Sequence, residues 1–154
     1  ALIPGKRLFM FATGTGIAPF ASLIRDPETY EKFAEVILTH TCRNIAELKY
    51  GKVLVESLAD DPLISELIDG KLKYYPTITQ ENFKTKGRIT NLLSNGQLFS
   101  DLCIKEMSAE TDRAMICGSM GLNNDMRKIL EAQGLSEGTN SRPAEYVLEK
   151  AFVG

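Results

Sequence analysis

A glycine-rich segment near the start of the chain, 12-ATGTGIAPF-20, has the composition of a loop that binds phosphate groups. It follows the apolar run 8-LFMF-11, which is typical of a strand buried on both faces of a sheet. Because glycine lacks a Cβ, Gly14 and Gly16 allow a pyrophosphate group to approach the backbone N–H groups. Pro19 indicates the first turn of a helix, whose N-terminus adds about half a positive charge. A tight turn without a ligand would show the same spacing.

The residues around these glycines discriminate between classes of nucleotide. A Walker-type loop requires Gly-Lys-Ser/Thr, whereas Gly16 is followed by Ile17, which argues against an NTPase. The standard dinucleotide fingerprint has a third glycine and an acidic residue at the end of the second strand. Here Pro19 lies near the third-glycine position, and the second strand ends at Arg43. An arginine in place of the acid favours a 2′-phosphate, and hence NADP over NAD, although a solvated loop arginine is the alternative.

A second candidate site is the segment 117-CGS-119, which follows the apolar residues of a later strand. The carboxyl ends of neighbouring parallel strands lie at the same edge of a sheet, so we expect this segment beside the first glycine loop. Gly118 permits a close approach, and Cys117 presents a small polarizable side chain to a bound group. The alternative is that Cys117 is a small buried apolar residue.

Strands that alternate with helices must position these two segments. The predicted strands are 7–12, 35–43, 71–79, 113–118 and 146–154, and we expect the third to fray at Pro76. The predicted helices start near residue 18, at 45, at 88 and at 119. This alternation predicts an α/β fold with a doubly wound, five-stranded parallel sheet of the Rossmann-like, nucleotide-binding type.

The composition limits the class of protein. A chain of 154 residues with 44% hydrophobic and 25% charged residues is sufficient for one globular domain. Its net charge of -2, without a block of like charges, gives no support for a nucleic acid or a membrane surface as partner. The three cysteines form no C-x-x-C pair, so we predict no metal site, no disulfide framework and a cytoplasmic location. The chain opens with Ala1, which either methionine removal or excision from a longer protein explains.

Together these motifs resemble the NADP-binding domain of ferredoxin–NADP(+) reductases. The resemblance rests on 13-TGTGIAP-19 after one strand, 117-CGS-119 after another, and an aromatic residue near the C-terminus. Other segments are similar to the bacterial branch of that family, namely 40-HTCR-43, 74-YYPT-77, 87-GRI-89 and 149-EKAFVG-154.

The resemblance implies an FAD enzyme that transfers a hydride between NADPH and FAD, coupled to one-electron exchange with ferredoxin or flavodoxin. Residues 1–154 would be the NADP-binding domain, and an FAD-binding β-barrel domain would lie upstream of residue 1. Such an enzyme requires little acid–base chemistry from its side chains, because the cofactors carry the reaction.

The resemblance also assigns roles to individual residues. Cys117 and Thr13 would bracket the nicotinamide ring where its C4 atom meets the flavin N5 atom. The other residues of the two glycine loops would bind the cofactors, and they are Gly14, Thr15, Gly16, Ile17, Ala18, Pro19, Gly118 and Ser119. The adenosine 2′-phosphate and neighbouring phosphates would be held by Arg43, Thr79 and Arg88. At the C-terminus, Ala151 would face the isoalloxazine ring and Phe152 would stack on the FAD adenine.

One position departs from the family pattern. Many relatives have an arginine where this chain has Gln80. A charge-assisted hydrogen bond contributes about 1.5–3 kcal/mol, so the loss reduces the NADP preference about ten- to a hundredfold unless Lys84 or Lys86 compensates. His40, the only histidine, is predicted to be a packing residue and not a catalyst.

Two alternatives belong to other functional classes. A non-catalytic nucleotide-binding module fits the glycine loop equally well, but it fits 117-CG-118 and 151-AF-152 poorly, because both sites require a second ring system. An NADH-dependent reductase of the same superfamily with another electron acceptor also fits the sequence, since Gln80 weakens the expected 2′-phosphate site.

Overall fold

The computed structural model describes residues 2–150, which form a single five-stranded sheet with helices on both faces. The strands are β1 (Arg7–Thr13), β2 (Glu35–Cys42), β3 (Leu72–Ile78), β4 (Asp112–Gly118) and β5 (Tyr146–Lys150). They lie in the order β3-β2-β1-β4-β5, and each neighbouring pair is parallel. The chain therefore reverses its direction of winding between β1 and β4, the place where doubly wound sheets bind ligands. The predicted fold class is confirmed.

The strand registers bring the ends of three strands to the same level. Thr13 at the end of β1 pairs with Thr41 on β2, and Ala12 pairs with Cys117 on β4. The interiors of β1 and β2 are buried, as expected for central strands that are covered on both faces. The segments that follow β1, β2 and β4 consequently meet at one edge of the sheet.

The two faces of the sheet bury separate apolar clusters, and β1 contributes to both. Its residues Leu8, Met10 and Ala12 belong to one cluster, whereas Phe9 and Phe11 belong to the other. This division follows from the alternation of side chains along a strand. The continuous apolar sequence of β1 is thus explained by helices on both sides.

Seven α-helices lie within residues 2–150: α1 (Ala18–Ile24), α2 (Pro27–Lys32), α3 (Ile45–Ser57), α4 (Pro62–Ile68), α5 (Ile89–Ser94), α6 (Gln97–Leu102) and α7 (Met120–Ala132). The sequence predicted α1, α3, α5 and α7 but not the other three. Asp26 and Asp61 each precede a proline, and each caps a helix by accepting a 3.0 Å hydrogen bond from the backbone N–H group two residues later.

The expectation that the third strand frays at Pro76 was wrong. β3 is continuous from Leu72 to Ile78, and Pro76 pairs with His40 in the parallel register. Because β3 is the outermost strand on its side of the sheet, the missing N–H group of a proline need not disrupt pairing. Sequence alone did not indicate that this strand lies at an edge.

The C-terminal part of the chain is described only in part. The fifth strand was predicted over residues 146–154, and the structure gives Tyr146–Lys150. Residues 151–154, including Ala151 and Phe152, lie outside the described range. Among residues 2–150, no helix has the length and apolar character that crossing a membrane requires.

Candidate functional site

A groove of about 820 Å³ runs along the carboxyl edge of the sheet, where the two glycine loops meet. Nine of the predicted site residues line it: the catalytic candidate Thr13, and the cofactor-binding candidates Gly14, Thr15, Gly16, Arg43, Thr79, Arg88, Gly118 and Ser119. They come from the ends of four strands and from the start of two helices. This volume lies in the range of sites that hold nucleotide-sized ligands.

The first glycine loop is a 3₁₀ turn, Gly14–Ile17, that connects β1 to α1. Gly14 has a φ angle of 51°, a left-handed conformation that glycine adopts without strain. No atom lies within 4 Å of the position that a Cβ on Gly14 would occupy. The backbone at Gly14 is therefore open to the groove.

Gly16 is required for a different reason. A Cβ on Gly16 would overlap the carbonyl oxygen of Cys117 on β4. Gly118 is equally constrained, because its Cβ would overlap Oγ1 of Thr13 and the side chain of Leu122. The two loops thus interlock, with Thr13 packed directly over Gly118, and this contact sets their relative position.

Cys117 lies beneath the groove and does not line it within the described part of the chain. Its side chain is inaccessible to solvent and belongs to the same apolar cluster as Ala12 and Ile17. Burial raises the pKa of the Cys117 thiol, and the nearby carboxylate of Glu149 raises it further. The thiol is therefore neutral at physiological pH, and its predicted role beside the nicotinamide stays a prediction.

The opposite end of the groove gathers the predicted phosphate-binding residues. The pairing of β3 with β2 continues past the end of β3. The Thr79 N–H group donates to the Cys42 carbonyl at 3.0 Å, and the Gln80 N–H group donates to the Arg43 carbonyl at 2.9 Å. The loop that leads to Arg88 is fastened by a 2.9 Å hydrogen bond from the Gly87 N–H group to the Ile78 carbonyl. Residues distant in sequence are thereby fixed around one end of the groove.

The charge at this end is mixed. Arg43 is mostly exposed, and its Nε atom lies 3.8 Å from Oε1 of Glu47, which also lines the groove. Lys84 and Lys86, proposed as substitutes for the arginine missing at Gln80, are not among the groove-lining residues of the described chain. Arg43 and Arg88 are therefore the cations that the described groove offers to a phosphate.

The N-terminus of α7 forms the side of the groove next to Gly118. Ser119 caps this helix, because its Oγ atom accepts a 3.2 Å hydrogen bond from the Leu122 N–H group. The hydroxyl of Ser119 thus has a structural role in addition to any contact with a ligand. Asp125, one turn further along, adds a carboxylate to the groove.

Some predicted residues contribute to the loop without lining the groove. Ile17 is buried in the core, Ala18 begins α1, and Pro19 occupies its first turn. Sequence reasoning missed other lining residues, which are Thr41, Cys42, Glu47, Ile89, Thr90, Gly121, Leu122 and Asp125. Cys42 and Ile89 directly adjoin a predicted site residue, and Thr41, Thr90 and Gly121 lie two residues from one, so closeness in sequence was the available signal for these five.

Residues 10–128 match the protein family described as "Oxidoreductase NAD-binding domain". The chain belongs to this family. The matched range extends from β1 into α7, so it contains every segment that lines the groove.

Two relatives within this oxidoreductase group are similar over nearly the whole chain. The flavodoxin/ferredoxin–NADP reductase of Rhodobacter capsulatus is 64% identical over 154 residues, which cover 100% of this chain and 57% of the relative. Ferredoxin–NADP reductase A of Sorangium cellulosum is 48% identical over 153 residues, covering 99% of this chain and 55% of the relative. The chain thus spans just over half the length of these relatives.

A solved structure has the same fold. A ferredoxin NADP+ reductase from Neisseria gonorrhoeae with bound FAD and NADP superimposes with a TM-score of 0.82 at 28% identity. The match covers 97% of this chain and 57% of that one. The predicted resemblance to the NADP-binding domain of ferredoxin reductases is confirmed at the level of family and fold.

Proposed function

We propose that this chain is the NADP-binding domain of a bacterial-type ferredoxin(flavodoxin)–NADP(+) reductase. The whole protein would transfer a hydride between NADPH and FAD and exchange single electrons with ferredoxin or flavodoxin. Residues 1–154 would form the NADP-binding half, and an FAD-binding β-barrel domain would supply the rest of the length. The names and lengths of the Rhodobacter and Sorangium relatives support this assignment.

The observation that carries the proposal is the layout of the groove. Arg43 and Arg88 line it at one end, and the interlocked Thr13 and Gly118 lie at the other. Between them, Gly14 presents an open backbone with positive φ and no atom where a Cβ would be. The arginine side chains suit a 2′-phosphate, and the open backbone suits a pyrophosphate. The small residues suit a flat ring of the same dinucleotide.

When bound, FAD would supply the redox chemistry that converts a hydride from NADPH into two electrons given up one at a time and one released proton. The contribution of the chain is to bind and orient the dinucleotide. Arg43, Thr79 and Arg88 would hold the 2′-phosphate, and the backbone of the first glycine loop would hold the pyrophosphate. Thr13 and Cys117 would set the position of the nicotinamide at the edge that the FAD domain covers. Ala151 and Phe152 would contact FAD.

A second candidate is an NADH-dependent reductase of the same superfamily. Two features of the groove favour it: Gln80 is neutral, and Glu47 lies beside Arg43. Both reduce the attraction for a 2′-phosphate. The free thiols of Cys42, Cys103 and Cys117 suit the reducing cytoplasm, which we propose as the location for either enzyme.

Calorimetry of the chain with 2′-phospho-AMP and with AMP tests the proposal. We expect 2′-phospho-AMP to bind at least about tenfold more tightly, because one charge-assisted hydrogen bond to the extra phosphate contributes about 1.5–3 kcal/mol. FAD should bind weakly to this chain alone. Equal affinity for the two nucleotides would remove the NADP assignment and leave the NADH-dependent reductase.

A further inference from the structure

A buried polar cluster lies directly beneath the first glycine loop. His40 on β2 is 1% exposed, and its Nε2 atom lies 2.8 Å from the carbonyl oxygen of Gly14. A carbonyl oxygen only accepts hydrogen bonds, so Nε2 must carry the proton that is donated to it. In the neutral ring Nδ1 is then an acceptor, and burial favours that neutral form because it lowers the pKa of His40.

The other ring nitrogen faces a complementary group. Among the described residues, the buried atoms His40 Nδ1 and Tyr74 Oη have no hydrogen-bond partner. Both lie close to Gly51 on α3, since a Cβ there would be 2.6 Å from Nδ1 and 3.1 Å from Oη. Gly51 thus leaves room at the point where an acceptor and a donor converge. The two atoms form no direct hydrogen bond with each other, but they are complementary in type, and the space beside Gly51 suits one bridging water.

The orientation of the Gly14 carbonyl has a consequence for the groove. The structure contains no cis peptide among its described residues, so the peptide between Gly14 and Thr15 is trans. In a trans peptide the N–H bond points away from the carbonyl oxygen. With the Gly14 carbonyl turned inward to His40, the N–H group of Thr15 is directed away from the core, and Thr15 is an exposed residue of the groove.

We propose that His40 is a positioning residue that fixes this peptide plane, and that Tyr74 holds the imidazole in the required tautomer. The Thr15 N–H group is thereby held in the orientation that donates a hydrogen bond to the pyrophosphate of the dinucleotide. The assignment of the pyrophosphate as its acceptor rests on the proposed function. The imidazole is needed because Gly14 has no Cβ and its peptide can rotate at little steric cost. His40, predicted from the sequence to be a packing residue and not a catalyst, would then be a positioning residue as well.

The test compares two ligands in matched variants of the 154-residue chain. His40→Gln keeps an N–H donor at the position of Nε2, whereas His40→Leu removes the donor and retains an apolar side chain. NADP+ contains the pyrophosphate, and adenosine 2′-monophosphate lacks any 5′ phosphate. We expect His40→Leu to weaken the binding of NADP+ about fivefold, as for the loss of one neutral hydrogen bond. The affinity for adenosine 2′-monophosphate should change by less than about twofold. His40→Gln should restore most of the NADP+ affinity.

Three outcomes would overturn the inference in distinguishable ways. Equal losses of affinity for both ligands in His40→Leu would show that His40 has a merely structural role. An unchanged affinity for NADP+ would show that His40 has no role in binding. If the unmodified chain binds neither ligand, the proposed function fails as well.

An independent measurement requires no ligand, and its main result comes from the unmodified chain. Because His40 is the only histidine, the ¹⁵N imidazole spectrum of the labelled chain reports on this ring alone. We expect the neutral tautomer with the proton on Nε2 at pH 7, and a shift of the Nδ1 resonance in Tyr74→Phe. A proton on Nδ1 at that pH, in either a neutral or a charged ring, would contradict the proposed arrangement.

Discussion

Arg43 and Arg88 reach the same end of the groove by different routes, and they differ in the partners available to them. Arg43 follows β2 and lies 3.8 Å from Glu47 one helical turn away. Arg88 stands at the N-terminal boundary of α5, and the ion pairs found among residues 2–150 do not include it. Arg88 is therefore the cation that can turn to a phosphate without giving up a carboxylate.

Arg88→Ala should discriminate between the two dinucleotides. We expect it to weaken the binding of NADP+ by about tenfold or more, because a charge-assisted hydrogen bond to the 2′-phosphate is lost. The affinity for NAD+ should change by less than about twofold. Calorimetry with both dinucleotides gives the two ratios. Lys84→Ala is the matched control, since it removes an exposed positive charge from the same loop without altering the lining of the groove. A similar loss for NADP+ and NAD+ would show that Arg88 supports the loop instead.

Some groove residues were predictable from sequence and others were not, for a physical reason. Arg43 and Thr79 end the second and third predicted strands, so their position at the edge of the sheet could be inferred. Glu47 lies in the first turn of α3 and Asp125 in the second turn of α7, and whether they face the groove depends on how each helix is rotated. The hydrogen bond between His40 and Gly14 depends on the pairing of β1 with β2, which a single sequence does not specify.

At the scale of elements, β1 and β4 are fastened at the end opposite to the groove by an ion pair. Arg7 forms two hydrogen bonds with the carboxylate of Asp112, at 2.8 and 2.7 Å. The Asp112 side chain is fully buried and also accepts a 2.8 Å hydrogen bond from the Ser108 N–H group. The bonds to Asp112 raise the pKa of Arg7. Both partners stand at the beginning of a strand, so the pair helps to set the β1–β4 register on which the loops depend.

Removal of the buried carboxylate should destabilise the fold strongly. For Asp112→Ala we expect a loss of about 3 kcal/mol in the free energy of unfolding, because the Arg7 charge loses its partner in a partly buried site. Glu35→Ala is the matched control: Glu35 also begins a strand and pairs with Lys73 at 3.0 Å, but both side chains are partly exposed. The decrease in the free energy of unfolding for Glu35→Ala should be below about 1 kcal/mol. Urea unfolding measures both, and equal losses would contradict the assignment.

The elements that sequence reasoning missed are short and depend on tertiary context. α2, α4 and α6 contain six or seven residues each, too few to form stably without packing. Gly96, which has a φ of 82°, illustrates the difficulty. This one glycine lies just after the end of α5 and is also the N-cap residue of α6. The long apolar strands, in contrast, were predictable because burial on both faces leaves a clear pattern.

At the scale of the whole molecule, the chain is just over half as long as the reductases that it resembles. The interlock of Thr13 with Gly118 and of Gly16 with Cys117 gives this half a rigid edge at the carboxyl ends of β1 and β4. A rigid edge suits a reaction between two rings held by different domains, since its rate depends on their distance and alignment. We therefore expect the binding of NADP+ to depend on the chain alone and hydride transfer to depend on both halves.

Cys117 provides the test of that division in the longer reductase that we propose. The thiol is buried and neutral, so we expect it to act by shaping the surface under the nicotinamide and not as a nucleophile or acid. Cys117→Ala should leave NADP+ affinity within about twofold, because the phosphates supply most of the binding. Hydride transfer to the flavin, followed by stopped flow, should slow on the order of tenfold to a hundredfold, since a misplacement of about 1 Å has that effect. Cys103→Ala, which removes an exposed thiol outside the groove, is the control. An unchanged rate in Cys117→Ala would show that Cys117 only packs, and the interlocked glycine loops would then serve to bind phosphate and not to align the rings.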